Sequence, residues 1–307
     1  MKLHCNHSLQ NNFKRFRYWI ISLVIVLIVT LLAVKGGISF KSSSSKGDQH
    51  SQCLENKFRR FSDAGIWDEG YSAMKECQLE SILNGLNLST VLKFANNNEV
   101  KLALAPIRTI DNCSIVTLGI GHDVSVETAW KKTIYSACNF YGVDPIAAES
   151  KDLYESIGEF FPVAVGNVTS MEVAKVKEDP KSRTYTKKIF RHVEFIKFLK
   201  DDLRLAKDSL IDHILMDVEY AEYGLLEYFY KGGKLDEAGF TVCQWNAEFH
   251  PPEAWQKTIY GSFMRRLTTE RRYAPVVLAE NKWRGRLYFV NVQDPRCVER
   301  YIDGQLW

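Results

Sequence analysis

The 307-residue chain contains no Cys-x-x-Cys pair and no His-x-x-x-His spacing. The usual sequence signatures of a zinc site are therefore missing. It also has little excess of either charge, with 40 Lys and Arg against 37 Asp and Glu and a formal net charge of +3. No basic stripe interleaved with aromatics occurs, which argues against a nucleic-acid partner. There is no internal repeat. What remains is 46% hydrophobic and 25% charged, the composition of an ordinary globular protein.

One segment departs from that average. Residues 18–34, YWIISLVIVLIVTLLAV, carry no charge. Their length lies at the short end of what crosses a bilayer. Lys14, Arg15 and Arg17 precede them and Lys35 follows. The apolar run is longer than a signal-peptide core, and no Ala-x-Ala cleavage pattern follows it, so the segment reads as a signal anchor. Basic residues ahead of the span favour a cytosolic tail at 1–17 and a body in the Golgi or ER lumen or outside the cell. The polar, serine-rich residues 35–52 read as a stem. Residues 53–109 read as an N-terminal extension, and 110–307 as the main domain.

Two features agree with a lumenal body. Asn87, Asn112 and Asn167 head Asn-x-Ser/Thr triplets, the signal for glycosylation. Beyond the span lie Cys53, Cys77, Cys113, Cys138, Cys243 and Cys297. An even number suits disulfides, with fifteen possible pairings and no way to choose among them. Cys113 and Cys138 fall in core-like surroundings and are expected as small buried apolar residues rather than as a bridge.

In the body, GIWDEGYSAMKECQLESILNGL reads as a helix and VKLALAPIRTI as an edge strand. SIVTLGIG is a buried-strand run. VSVETAWKKTIYSAC follows as a helix, with Val126, Trp130 and Ile134 on one face. NFYGVDP and FFPVAVGN read as the second and third strands. TKKIFRHVEFIKFLKDD has helical spacing at Phe190, Val193, Ile196 and Phe198. DHILMDVEYAEYGLLEYFY reads as a strand to Met216 and then a helix, and AGFTVCQWNAEFH as a fifth strand. APVVLAENKWRGRLYFVNV reads as an antiparallel hairpin at the sheet edge. The fold class is therefore α/β: a Rossmann-like, doubly wound, mostly parallel sheet with a C-terminal antiparallel hairpin, preceded by one transmembrane helix.

Such sheets bind ligands beyond the carboxyl ends of their strands. The first strand ends in the turn Gly119-Ile120-Gly121, where glycine lets backbone approach a ligand closely. The next helix aims its N-terminal amides at the same place. Asp144, at the end of the second strand, stands where a carboxylate can accept ribose hydroxyls. Together these describe a nucleoside-binding crevice. Asp217, Glu219 and Glu222 follow the fourth strand, either favouring a helix N-terminus or projecting into the crevice to act on a proton or hold a metal. Asn246, Glu248 and His250 alternate along the end of the fifth strand and share one face.

These four blocks, in this order, resemble the FkbM-type methyltransferases and a related family common in nematodes, over roughly residues 110–300. The matching residues are Gly119 and Gly121; Asp144 and Pro145; Asp217, Glu219, Ala221 and Glu222; and Glu248 and His250. The resemblance implies a Rossmann-like fold that binds S-adenosylmethionine, with Gly119, Gly121 and Asp144 as cofactor contacts. It also implies methyl transfer to an oxygen of a glycan or small molecule. Asp217, Glu219 or His250 would be the catalytic residues, and no metal is assigned. Two departures stand out: Tyr220 replaces the usual glycine of Asp-x-Glu-Gly, and His122-Asp123 follow the turn. Two alternatives carry different chemistry. One is an anchored glycosyltransferase holding a metal with Asp217 and Glu219. The other is a non-catalytic member of the fold.

Overall fold

The computed structural model describes residues 46–96, 99–148, 150–176, 185–277 and 285–306. The expected anchor at 18–34 and the tail at 1–17 lie outside them. No helix among the described residues is long and apolar enough to cross a membrane.

The elements run α1 (Lys46–Phe58), α2 (Asp63–Leu83), β1 (Val91–Ala95), β2 (Val100–Leu104), β3 (Ser114–Leu118), α3 (Ser125–Lys132), β4 (Asn139–Val143) and α4 (Ser150–Glu155). They continue β5 (Glu159–Phe161), β6 (Ala164–Gly166), β7 (Ser170–Val176), β8 (Thr186–Glu194), α5 (Phe195–Lys197), β9 (Leu210–Met216) and α6 (Glu222–Leu225). Last come α7 (Lys234–Ala238), β10 (Thr241–Glu248), α8 (Ala254–Glu270), β11 (Tyr273–Val276), β12 (Arg286–Asn291) and α9 (Pro295–Tyr301). α1 takes in part of the sequence read as stem, and buries His50, Ser51 and Leu54.

A seven-stranded sheet in the order β11-β12-β10-β9-β3-β4-β5 forms the frame. β10, β9, β3, β4 and β5 are parallel, and β12 runs antiparallel to β10 and β11. From β3 the chain winds outward through β4 and β5. It then returns to the other side of β3 at β9, so the strand order reverses between β3 and β9. The C-terminal hairpin is present at the sheet edge, with β12 against β10.

Side chains alternate between two faces of the strands. Val116, Leu118, Ile214, Met216, Trp245 and Ala247 pack with Phe58, Trp67, Met74, Tyr260 and Phe263 of α1, α2 and α8. Trp245 lies stacked between Phe229 and Phe289, with ring centroids 4.2 and 3.9 Å away. Truncating so enclosed a ring costs about 3–5 kcal/mol. The other face carries Ile115, Leu215 and Tyr288 against Trp130, Tyr135 and Tyr301.

Three expectations are corrected. VKLALAPIRTI is not an edge strand of this sheet. Among the described residues β2 pairs only with β1, and side-chain amides of β10 hold it against the sheet face. Asn246 accepts from Leu102 N (2.9 Å) and donates to Leu102 O (2.8 Å), and Gln244 does the same at Leu104 (2.8 and 3.2 Å). FFPVAVGN is two strands, β5 and β6, in different sheets. TKKIFRHVEFIKFLKDD begins as β8, paired with β6 and β7 in a separate three-stranded sheet, and becomes helical only at Phe195.

The six body cysteines form Cys53–Cys77, Cys113–Cys138 and Cys243–Cys297. Cys113 and Cys138 are thus a bridge, not two free apolar residues. They precede β3 and β4, whose parallel pairing brings them side by side, with Asn139 N donating to Cys113 O at 2.9 Å.

Candidate active site

The turn after β3 is fixed from three sides. Gly119 has φ +82°, and a Cβ there would lie 1.8 Å from the Asp217 carbonyl oxygen. Only glycine lets β3 and β9 end this close together. Gly119 N donates to Val143 O and Asp217 N to Leu118 O, both at 2.9 Å. Gly121 has φ +63°, and the space where its Cβ would stand is open. Ser150 of α4 donates to Gly121 O at 2.8 Å.

Asp144 closes the turn from β4. Its Oδ2 accepts from Ile120 N (3.1 Å) and Gly121 N (3.0 Å), and its Oδ1 accepts from Ile146 N (2.8 Å). A carboxylate offers about four acceptor positions, so Oδ1 keeps capacity for a ligand hydroxyl while Oδ2 is spent on the loop. Burial raises the Asp144 carboxyl above the ordinary range, against the three amides that stabilise its charge.

These residues open on a cavity of about 370 Å³ that also receives Asp217, Glu219, Glu248 and His250. That volume is within the range of small-molecule sites. All six residues read from the sequence as catalytic or cofactor-binding line this one cavity: Gly119, Gly121, Asp144, Asp217, Glu219 and His250. Asn246 does not, being committed to β2. His122 and Asp123 also line the cavity.

His250 sits among three carboxylates. Its Nε2 lies 3.2 Å from Glu219 Oε2 and 3.6 Å from Asp217 Oδ1, and its Nδ1 lies 3.2 Å from Glu222 Oε1. The fully buried Glu222 also accepts from His250 N at 2.8 Å. Burial disfavours charge on this imidazole, but hydrogen bonds to Glu219 and Glu222 and the charge of Asp217 outweigh it, and its pKa is pushed up to about 11. Burial, and then the charge of Glu248, push Asp217 up to about 7 against Lys101 and His250. Glu219 and Tyr220 both have left-handed backbones, with φ +49° and +80°. At Tyr220, where the family pattern has glycine, the chain keeps a conformation that suits glycine while carrying a ring, which rests 5.2 Å from the His250 ring.

Four further charged residues line the cavity that were not singled out in the sequence: Glu99, Lys101, Glu127 and Arg286. Lys101 Nζ lies 2.7 Å from Glu99 Oε1. Arg286 donates to both oxygens of Glu248, at 3.0 and 3.1 Å. Glu127 of α3 accepts from Thr117 Oγ1 at 3.1 Å, and burial pushes its carboxyl up to about 7 against the charge of Lys101. The available signal for Lys101 was a lone lysine inside the apolar run VKLALA. Glu127 gave none, since it neighbours the buried Val126 within one helical turn.

A doubly wound sheet with a glycine turn and an acidic cavity at its order reversal has the Rossmann-like arrangement. Comparison with known families makes this specific. The methyltransferase FkbM domain matches residues 74–275, and the chain belongs to that family. The match starts inside α2, ahead of the 110–300 stretch that carries the motif resemblance. Among curated proteins, none matches the chain.

Proposed function

We propose that the protein is an S-adenosylmethionine-dependent methyltransferase acting on an oxygen of a glycan or small molecule in the secretory pathway. The observation that carries this reading is the closed turn: Gly119 pressed on the Asp217 carbonyl, Gly121 facing open space, and Asp144 holding the loop amides, all inside an FkbM methyltransferase domain. The cavity suits the cofactor. The open position over Gly121 admits a ligand, Asp144 Oδ1 has room for a ribose hydroxyl, and the acidic lining suits a positively charged sulfonium. Bound there, S-adenosylmethionine supplies an electrophilic methyl group.

The chain's own residues then have two tasks. The Gly119–Gly121 turn and Asp144 orient the donor, and water exclusion in the cavity favours an in-line approach. Asp217, Glu219 and His250 face the same space from β9 and β10; the two carboxylates receive the acceptor hydroxyl and its proton, and the protonated His250 holds the carboxylates in place. Family membership removes the reason to prefer a glycosyltransferase. A lumenal body behind an anchor at residues 18–34 is supported by three disulfides, which persist in oxidising compartments. Exposed asparagines at all three triplets, Asn87, Asn112 and Asn167, support it too.

Calorimetry of the full chain in detergent with S-adenosylmethionine tests the proposal. Binding is expected, and Asp144→Ala is expected to weaken it at least tenfold. A folded chain that does not bind the cofactor refutes the reading.

A further inference from the structure

Acidic side chains outnumber the lysine and arginine that line the cavity. Among its lining residues seven are Asp or Glu, against one lysine and one arginine. The two cations are already matched, Lys101 with Glu99 and Arg286 with Glu248. Asp217 and Glu219 share the His250 imidazole, and Asp217 also feels the charge of Lys101. Asp217 Oδ1 makes no hydrogen bond, although the side chain as a whole is 34% exposed. The nearest group able to carry positive charge is His250 Nε2, at 3.6 Å and so beyond hydrogen-bond reach.

The neighbouring imidazole is aimed at the same point. Glu222, itself fully buried, takes the Nδ1 edge of His250 and its backbone N–H. That leaves Nε2 directed at Glu219 Oε2 and Asp217 Oδ1. One ligand atom from each of Asp217, Glu219 and His250 lies within 4.8 Å of the others. Ligands at about 2.1–2.4 Å from a common ion span about that distance. A carboxylate behind a ligating histidine is the usual outer-shell partner of a metal site.

We infer that Asp217, Glu219 and His250 form a divalent-cation site, with Glu222 as the positioning residue behind His250. Two carboxylates and a single imidazole, with no cysteine, select a hard ion, Mg²⁺ or Mn²⁺. Glu99 and Glu248 also lie within 4.8 Å of Asp217, but they are paired with Lys101 and Arg286. An ion held here faces the cavity and has positions left for an acceptor oxygen. The inference does not rest on the methyltransferase reading, because ion binding is measured without S-adenosylmethionine.

The test is Mn²⁺ binding to the disulfide-intact full chain in detergent, followed by electron paramagnetic resonance of the free ion. Pulsed measurements then look for coupling of bound Mn²⁺ to an imidazole nitrogen. The expected result is one bound Mn²⁺ with nitrogen coupling, displaced by Mg²⁺. Asp217→Asn and Glu219→Gln should each weaken binding at least tenfold, His250→Gln should remove the nitrogen coupling, and Glu222→Gln should weaken binding by about 10–100-fold. Circular dichroism of each variant separates lost binding from lost fold. A folded wild-type chain that binds no Mn²⁺ at millimolar concentration overturns the inference. So does bound Mn²⁺ without nitrogen coupling, or binding indifferent to Asp217→Asn.

Discussion

Replacing each of the two glycines of the β3 turn by alanine separates their roles. In Gly119→Ala the new methyl meets the Asp217 carbonyl oxygen at 1.8 Å, where ordinary contact begins near 3.4 Å. The ends of β3 and β9 must part by well over an ångström. That breaks Asp217 N to Leu118 O, the hydrogen bond between the two strand ends, which contributes about 1 kcal/mol. The left-handed backbone at φ +82° adds about 1–2 kcal/mol. Loss of glycine's freedom in the unfolded chain offsets about 0.4–1 kcal/mol. The net expectation is a loss of about 2 kcal/mol. Gly121→Ala meets nothing within 4 Å, so only the backbone term remains, largely offset, and stability should stay within about 1 kcal/mol. Its methyl projects into the cavity, so S-adenosylmethionine binding should fall at least tenfold. Urea unfolding followed by tryptophan fluorescence, with calorimetry of the cofactor, measures both. A Gly119→Ala chain within 1 kcal/mol of wild type would refute the close approach of the strands. A Gly121→Ala chain that loses stability as Gly119→Ala does, or keeps full cofactor affinity, would refute the cradle.

Two further outcomes follow from buried and strained groups. At Tyr220, φ +80° makes glycine the better small residue, so Tyr220→Gly should unfold at higher urea than Tyr220→Ala, by about 1 kcal/mol. The reverse order would show that the backbone is not held left-handed. His213 is fully buried beside Trp130 and Tyr288, with Nε2 accepting from Asn246 Nδ2 at 2.7 Å. Burial, reinforced by the charge of Lys101, holds its pKa well below 6.5. The unfolded chain therefore binds the extra proton below pH 6.5. The stability due to neutral His213 is complete above that pH and falls as pH drops, by up to about 1.4 kcal/mol per unit. Glu127, raised to about 7, works in the opposite direction. The measurement is therefore the difference between wild type and His213→Gln, which should narrow from pH 7 to pH 5. A constant difference would mean that His213 is already charged or solvated.

The frame of the fold was legible because its strands are short, continuous apolar runs. SIVTL, HILM and TVCQWNAE are buried on both faces, the pattern of strands in a parallel sheet covered on both sides. The misreading of TKKIFRHVEFIKFLKDD has a specific cause. Phe190, Val193 and Ile196 fall at helical intervals, yet the interval spans the end of β8 and the start of α5. The spacing belonged to two elements, and pairing with β7 decided the first. β2 was misplaced for another reason: its partners in the core are side-chain amides, which leave no periodic trace in the sequence. The six proposed site residues came together because strand ends of a doubly wound sheet converge. Glu99, Lys101 and Arg286 were missed because they arrive from β12 and from the β1–β2 hairpin, whose position depends on Gln244 and Asn246. The bridge at Cys113 and Cys138 was missed because burial alone cannot distinguish a disulfide from two small apolar residues. The parallel register of β3 and β4 was the missing fact.

The three disulfides are unevenly placed. Cys113–Cys138 joins β3 and β4 just ahead of their first residues, and Cys243–Cys297 joins an early residue of β10 to α9. Cys53–Cys77 ties α1 to α2. Among the described residues no covalent link crosses the opposite rim, where Gly119, Asp144, Asp217 and His250 meet. The molecule is riveted at its base and merely hydrogen-bonded at its mouth. Such a chassis lets rim loops be exchanged without loosening the footing, so a lineage could diversify what it modifies while keeping one durable frame.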